Sequence, residues 1–94
     1  MNIRRTITIY RIYVESEIGN SFACEETEWH STEDGAIREM VSLLMDSCLE
    51  ELEEMFKDYY EGELDFESWM LAVVGGSIDM DICFSRIAEL VILD

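Results

Sequence analysis

SWMLAVVGGSIDMDIC, residues Ser68–Cys83, is the stretch on which the fold turns. Gly75–Gly76 at its centre can form a two-residue hairpin loop, because glycine supplies the positive φ that such a loop needs. That loop sets Val73 opposite Ile78, Leu71 opposite Met80 and Trp69 opposite Ile82. The other face pairs Ala72 with Asp79, Met70 with Asp81 and Ser68 with Cys83. One face is wholly apolar and the other mostly small or polar, an asymmetry that selects a register. The stretch therefore predicts a β-hairpin. Its competitor is a short helix over Asp65–Val74 with Gly75 as the C-cap. Asp79 and Asp81 have the spacing of the first two ligands of a calcium loop. The glycine and terminal glutamate of such a loop are missing, so both read as the hairpin's solvent face. Ser85–Leu93 fits either a continued strand or a helical turn through Ile87, Leu90 and Val91.

Upstream, apolar residues recur at steps of three and four: Ile37, Met40, Val41, Leu44, Met45, Cys48, Leu49, Leu52, Met55, Phe56 and Tyr59. This is the spacing of one helix face. Ser31 or Thr32 can cap the start, Glu33 and Asp34 suit the positive end of the dipole, and Asp34 to Arg38 is an i,i+4 ion pair. The pattern predicts one helix of about 28 residues, or two with a kink near Asp46–Ser47, with Gly62 as the C-cap. Its methionines read as core filling in preference to an adaptable groove.

Before the helix, Ile3–Glu15 is rich in β-branched and aromatic residues, and Ser21–His30 can return beside it. Gly19–Asn20 as the loop would place Tyr10 opposite Trp29 and Arg11 opposite Glu28. The alternation in the first strand changes parity, with Ile7 and Ile9 odd but Tyr10, Ile12 and Val14 even. A bulge near Tyr10 or burial on both faces would account for that. The expected architecture is α+β: one domain, residues 1–94, with an antiparallel sheet from two hairpins and one long acidic helix between them (ββαββ, with room for a short C-terminal helix).

Charge narrows the function. The chain has 22 Asp and Glu against 6 Lys and Arg, a net charge of −16. A magnitude of about 2–8 is enough for the solubility of a small domain, and the excess costs stability by self-repulsion. Arg4, Arg5 and Arg11 precede the first acid, Glu15, so the remaining eighty residues carry −19. This balance disfavours nucleic acid and anionic membranes as partners and favours a basic protein surface. The residues after MNIRR alternate and include Arg11, with no apolar core of a signal peptide and no membrane-spanning run. A cytoplasmic location follows as the expectation.

Three widely spaced cysteines, Cys24, Cys48 and Cys83, and the single His30 lack the close ligand pairs of a structural zinc site. His30 is also the one candidate base for cysteine catalysis, without a nucleophile-elbow motif nearby. The expectation is a non-enzyme without metal or cofactor.

The acids concentrate in DSCLEELEEMFKDYYEGE, Asp46–Glu63, which holds eight carboxylates and one base, Lys57. As helix it spans roughly 27 Å, or one acid about every 3.4 Å, close to the roughly 3.4 Å axial interval of phosphates along one B-DNA strand. Within it, Glu54–Gly62 (EMFKDYYEG) resembles the "MF-x-DYEG" stretch of conjugative antirestriction proteins, with one extra tyrosine. In size, acidity (pI about 4.1) and absence of proline the chain also resembles small phage or plasmid anti-defence proteins, including anti-CRISPR inhibitors. The resemblance implies a carboxylate array that imitates DNA phosphates in the cleft of a CRISPR or restriction defence enzyme, within the host cytoplasm.

The expected contact residues are Asp46, Glu50, Glu51, Glu53, Glu54, Asp58 and Glu61, joined by Glu25, Glu26 and Glu28 of the second strand. Such an inhibitor would act as a monomer or homodimer. Two other readings use the same composition: an immunity protein or antitoxin against a basic nuclease, and an acidic secretion chaperone that dimerises through an apolar helix face.

Overall fold

A computed structural model of the chain describes residues 5–93. The expected strand start at Ile3 lies outside those residues. Five elements follow in order: β1 (Arg5–Ile18), β2 (Ser21–Glu26), α1 (Glu33–Tyr59), α2 (Phe66–Gly75) and β3 (Phe84–Leu93). The three strands form one antiparallel sheet in the order β2-β1-β3. The α+β class and the first hairpin match the sequence expectation, but the second hairpin does not form.

Gly19–Asn20 is the loop between β1 and β2, with Gly19 at φ 60° and Ile18 opposite Ser21. The expected register holds as far as Tyr13 opposite Glu26. There Thr27 enters the ladder. Its N–H donates to the Ile12 carbonyl, and its hydroxyl oxygen accepts from the Ile12 N–H at 3.0 Å. One extra residue then accumulates, so Tyr10 pairs with His30 and not with Trp29. Arg11 likewise does not face Glu28. Its guanidinium lies 4.5 Å from the centre of the Trp29 ring and 3.4 Å from the Glu26 carboxylate. The irregularity sits on the second strand's path, because a hydroxyl has replaced a backbone acceptor.

α1 starts as its sequence requires. Thr32 accepts from the Gly35 N–H, and Arg38 reaches Asp34 at 2.8 Å. The kink falls at Cys48 (φ −136°, ψ 31°), one residue past the expected place. Ser47 donates its hydroxyl to the Leu43 carbonyl one turn back, a competing bond that bends helices. Gly62 is not the C-cap. The helix ends earlier, at an extended Tyr60 whose N–H donates to the Phe56 carbonyl.

Residues 66–75 are helical, which overturns the hairpin and leaves three strands where four were expected. Asp65 caps the start by accepting from the Ser68 N–H, and Gly76, not Gly75, ends it in the left-handed conformation at φ 89°. Trp69, Met70, Val73 and Val74 are all buried, a helical face and not an alternating one. Trp69 is enclosed by Phe56, Tyr60 and Phe66, with ring centres 5.3, 6.3 and 5.9 Å away. A strand would have turned Met70 and Val74 to solvent. Asp79 and Asp81 accordingly lie in a turn, not on a strand face: Asp79 accepts the Asp81 N–H at 3.1 Å, with Asp81 at φ 59°.

Ser85–Leu93, the segment left open by the sequence, belongs to β3, which pairs with β1 from Val14–Phe84 to Arg5–Leu93 without a bulge. The core collects Ile12, Val14 and Ile18 of β1, Ala23 of β2, Met40, Leu44 and Leu52 of α1, and the buried face of α2. The helices cover only the Ile18 end of β1. Residues 5–9 and 89–93 continue past them as a two-stranded ribbon. Hence the change of parity in β1 reflects the end of helical cover, and its register with β3 stays constant through Tyr10. The molecule extends 59 × 27 × 19 Å, with a radius of gyration of 15.6 Å, against about 12 Å for a compact chain of this length.

Candidate partner-binding site

The second half of α1 turns Leu44, Cys48 and Leu52 into the core and leaves Asp46, Glu50, Glu53, Glu54 and Asp58 exposed on the opposite side. Helical geometry spreads these five acids over about 18 Å, one every 4.5 Å or so. The ridge is sparser than the eighteen-residue average because three acids leave it. Glu61 and Glu63 follow the helix end, and Glu51 turns toward the sheet.

Glu51 is half-buried beside the first hairpin, where it accepts a 2.7 Å hydrogen bond from the Ser21 hydroxyl. That bond holds its carboxyl below the usual range. Its methylene groups also sit about where a Cβ on Gly19 would press, at 3.2 Å. Glu51 therefore ties α1 to the hairpin and is set apart from the exposed ridge.

Beside the ridge runs an open groove of about 840 Å³, lined by Met45, Leu49, Phe56 and Phe66 and rimmed by Glu50, Glu53, Glu54 and Lys57. It exists because α2 folds back on α1, bringing Phe66 edge-on to Phe56 at 5.6 Å between ring centres. Among the methionines, Met40 and Met70 are core residues, while Met45 helps to wall this groove. A carboxylate rim over apolar walls suits a lysine or arginine, whose stem is hydrocarbon and whose head needs an acid. Sequence reasoning found the rim but missed Phe66, since its contribution requires the second helix. Leu49, at the margin of the apolar stripe, was the available signal.

The second-strand acids do not join this array. Glu25 is half-buried opposite Val14, on the helix-covered side of the sheet. Glu26 lies on the other side with Arg11. Glu28 is exposed, and its N–H is held by the Glu39 carboxylate at 2.9 Å. Glu39 also meets His30 Nε2 at 2.6 Å, so His30 is locked into the connection between β2 and α1.

The cysteines are free and dispersed. Cys48 is buried, as its place in the stripe implies, while Cys24 and Cys83 are exposed. Cys24 Sγ lies 3.8 Å from the Tyr13 hydroxyl, which donates to Glu15. That bond, reinforced by Cys24, pushes the phenol well above its usual range. No group of three or more metal-ligating side chains occurs among the described residues, and none of their helices is long and apolar enough to cross a membrane.

Comparison with protein-family models, curated proteins and solved structures finds no match.

Proposed function

We propose that this chain is a stoichiometric inhibitor that covers a basic, nucleic-acid-binding surface of a CRISPR or restriction defence complex. The observation that carries this reading is the exposed ridge Asp46–Glu50–Glu53–Glu54–Asp58 beside an apolar groove. The ridge takes the place of phosphates, and the groove receives the aliphatic stems that accompany basic side chains. Carboxylates on a packed helix are held in place before contact, so less ordering entropy is lost on binding. An immunity protein acting on a basic nuclease would use the same surface. The secretion-chaperone reading has less support, because its bare apolar helix face is here occupied by the sheet and α2.

Competition tests the proposal. The chain is used to capture a protein from cells that carry CRISPR and restriction systems, and the captured protein is titrated with duplex DNA. Apparent affinity should weaken in proportion to DNA, and saturating inhibitor should abolish DNA binding. A stable ternary complex of target, DNA and this protein would rule out mimicry at the nucleic-acid site.

A further inference from the structure

The proposed inhibitory face leaves the opposite end of the molecule, the ribbon of residues 5–9 and 89–93, without a role. Ile87 and Leu93 of β3, with Ile7 of β1, are more than 40% exposed on the sheet's open face; Leu90 and Ile92 are 63% and 52% exposed on the other. Exposed large apolar side chains therefore flank the β3 edge on both faces of the ribbon. Among the described residues β3 is an edge strand along all ten of its positions, and its register with β1 contains no bulge. It has no proline and only Arg86 and Glu89 as charges. Of the protective devices common on exposed edges, its outer half has only the single charge of Glu89, and a two-stranded ribbon is marginal by itself in water.

We infer that the ribbon is a self-association surface: the β3 edges of two copies pair antiparallel about a two-fold axis near Leu90, forming one six-stranded sheet. The self-complementary edge of β3 selects a second copy as the occupant, and the charge distribution permits it. Residues 5–14 contain Arg5 and Arg11 and no acid, whereas the acids concentrate in the body. The basic surface sought by the inhibitory face would find little attraction here, while two ribbons can meet with their acidic bodies pointing away from each other. Residue matching selects the axis. Pairing about Leu90 places Ile87 opposite Leu93 and Ala88 opposite Ile92, apolar against apolar, and sets Glu89 opposite Val91, so that no two charges meet. An axis at Glu89 would set two carboxylates directly opposite, which is destabilising.

The test is sedimentation of the full chain across a concentration series at about 0.1 M and about 1 M salt, where the Debye length falls from about 10 to about 3 Å. A dimer that tightens with salt is expected, because screening relieves the repulsion between acidic bodies. Leu90→Lys should be monomeric with unchanged circular dichroism, since it sets two ammonium groups face to face at the axis. Amide exchange on the unmutated chain gives a check independent of any variant: β3 amides should gain protection as concentration rises. A wild-type monomer at every concentration and salt would overturn the inference. So would a folded Leu90→Lys dimer, or a dimer whose β3 exchange does not depend on concentration. None of these outcomes depends on the inhibitory target.

Discussion

The guanidinium of Arg86, on β3, donates to the carbonyl of Val74 in the last turn of α2. α2 has no basic residue of its own at that end. A cation from another element therefore meets the negative end of the helix dipole, and the same side chain lies 3.8 Å from Glu33 at the start of α1. Arg86→Ala should lower stability by about 1–2 kcal/mol, read by urea unfolding from the fluorescence of buried Trp69. Arg86→Lys should recover part of the loss. Equal effects of Ala and Lys would mean that the planar fork, not the charge, is what matters.

Thr27 is 2% exposed, and its hydroxyl serves both Ile12 N–H and Glu28 carbonyl. Thr27→Val preserves shape but strands a buried donor, so a loss of about 1–3 kcal/mol is expected. Thr27→Ser keeps the hydroxyl and should cost less. A neutral Thr27→Val would show that the Ile12 N–H finds water.

Reversing Glu50, Glu53 and Glu54 to lysine should leave thermal stability unchanged or slightly raised, because the net charge of −16 falls by six and self-repulsion eases. Affinity for a basic target should fall at least about 30-fold. Glu51→Gln should behave differently, with target affinity retained, because Glu51 is engaged with Ser21. A triple variant that binds normally would move the contact surface off α1.

Target association should be steered by charge. On-rates above the unsteered range of about 10⁵–10⁶ M⁻¹s⁻¹ are expected at low salt, with a steep fall as salt rises. Stopped-flow mixing at two ionic strengths decides this, and a rate indifferent to salt would count against an electrostatic mimic.

Two carboxyls give a signed dependence on pH. The Ser21 hydroxyl holds Glu51 below its ordinary range, and the Ser68 N–H does the same for Asp65. Groups whose folded pKa is depressed add stability at neutral pH, and that stability is lost as pH falls through about 4 and below. Protonation of the remaining acids works in the other direction by relieving the −16 charge. Ser21→Ala and Asp65→Ala isolate the first effect. Each should lower the melting temperature at pH 7, and its gap from the parent should narrow in acid. A gap that stays constant down to about pH 2 would assign the loss to packing and not to ionisation.

What the amino-acid order determined alone was whatever closes within a few residues. The Gly19–Asn20 loop, the Thr32 cap, the Asp34–Arg38 pair and the inward stripe of α1 depend on neighbours within about one turn. The exposed carboxylate ridge follows from that stripe. Residues 66–75 and 84–93 were decided elsewhere. Trp69–Val74 is apolar enough to satisfy both a period of two and a helical one, so local pattern could not choose. Phe56, Tyr60 and Phe66 close around Trp69, and Arg86 meets the helix end, only when α2 is a helix. β3 is a strand because its backbone bonds lie with β1, 88 residues away at Arg5–Leu93. The groove is likewise tertiary, since Phe66 joins Met45 and Leu49 only after α2 folds against α1. Hydrogen bonds and packing between distant segments outweigh local preferences where those preferences are nearly balanced.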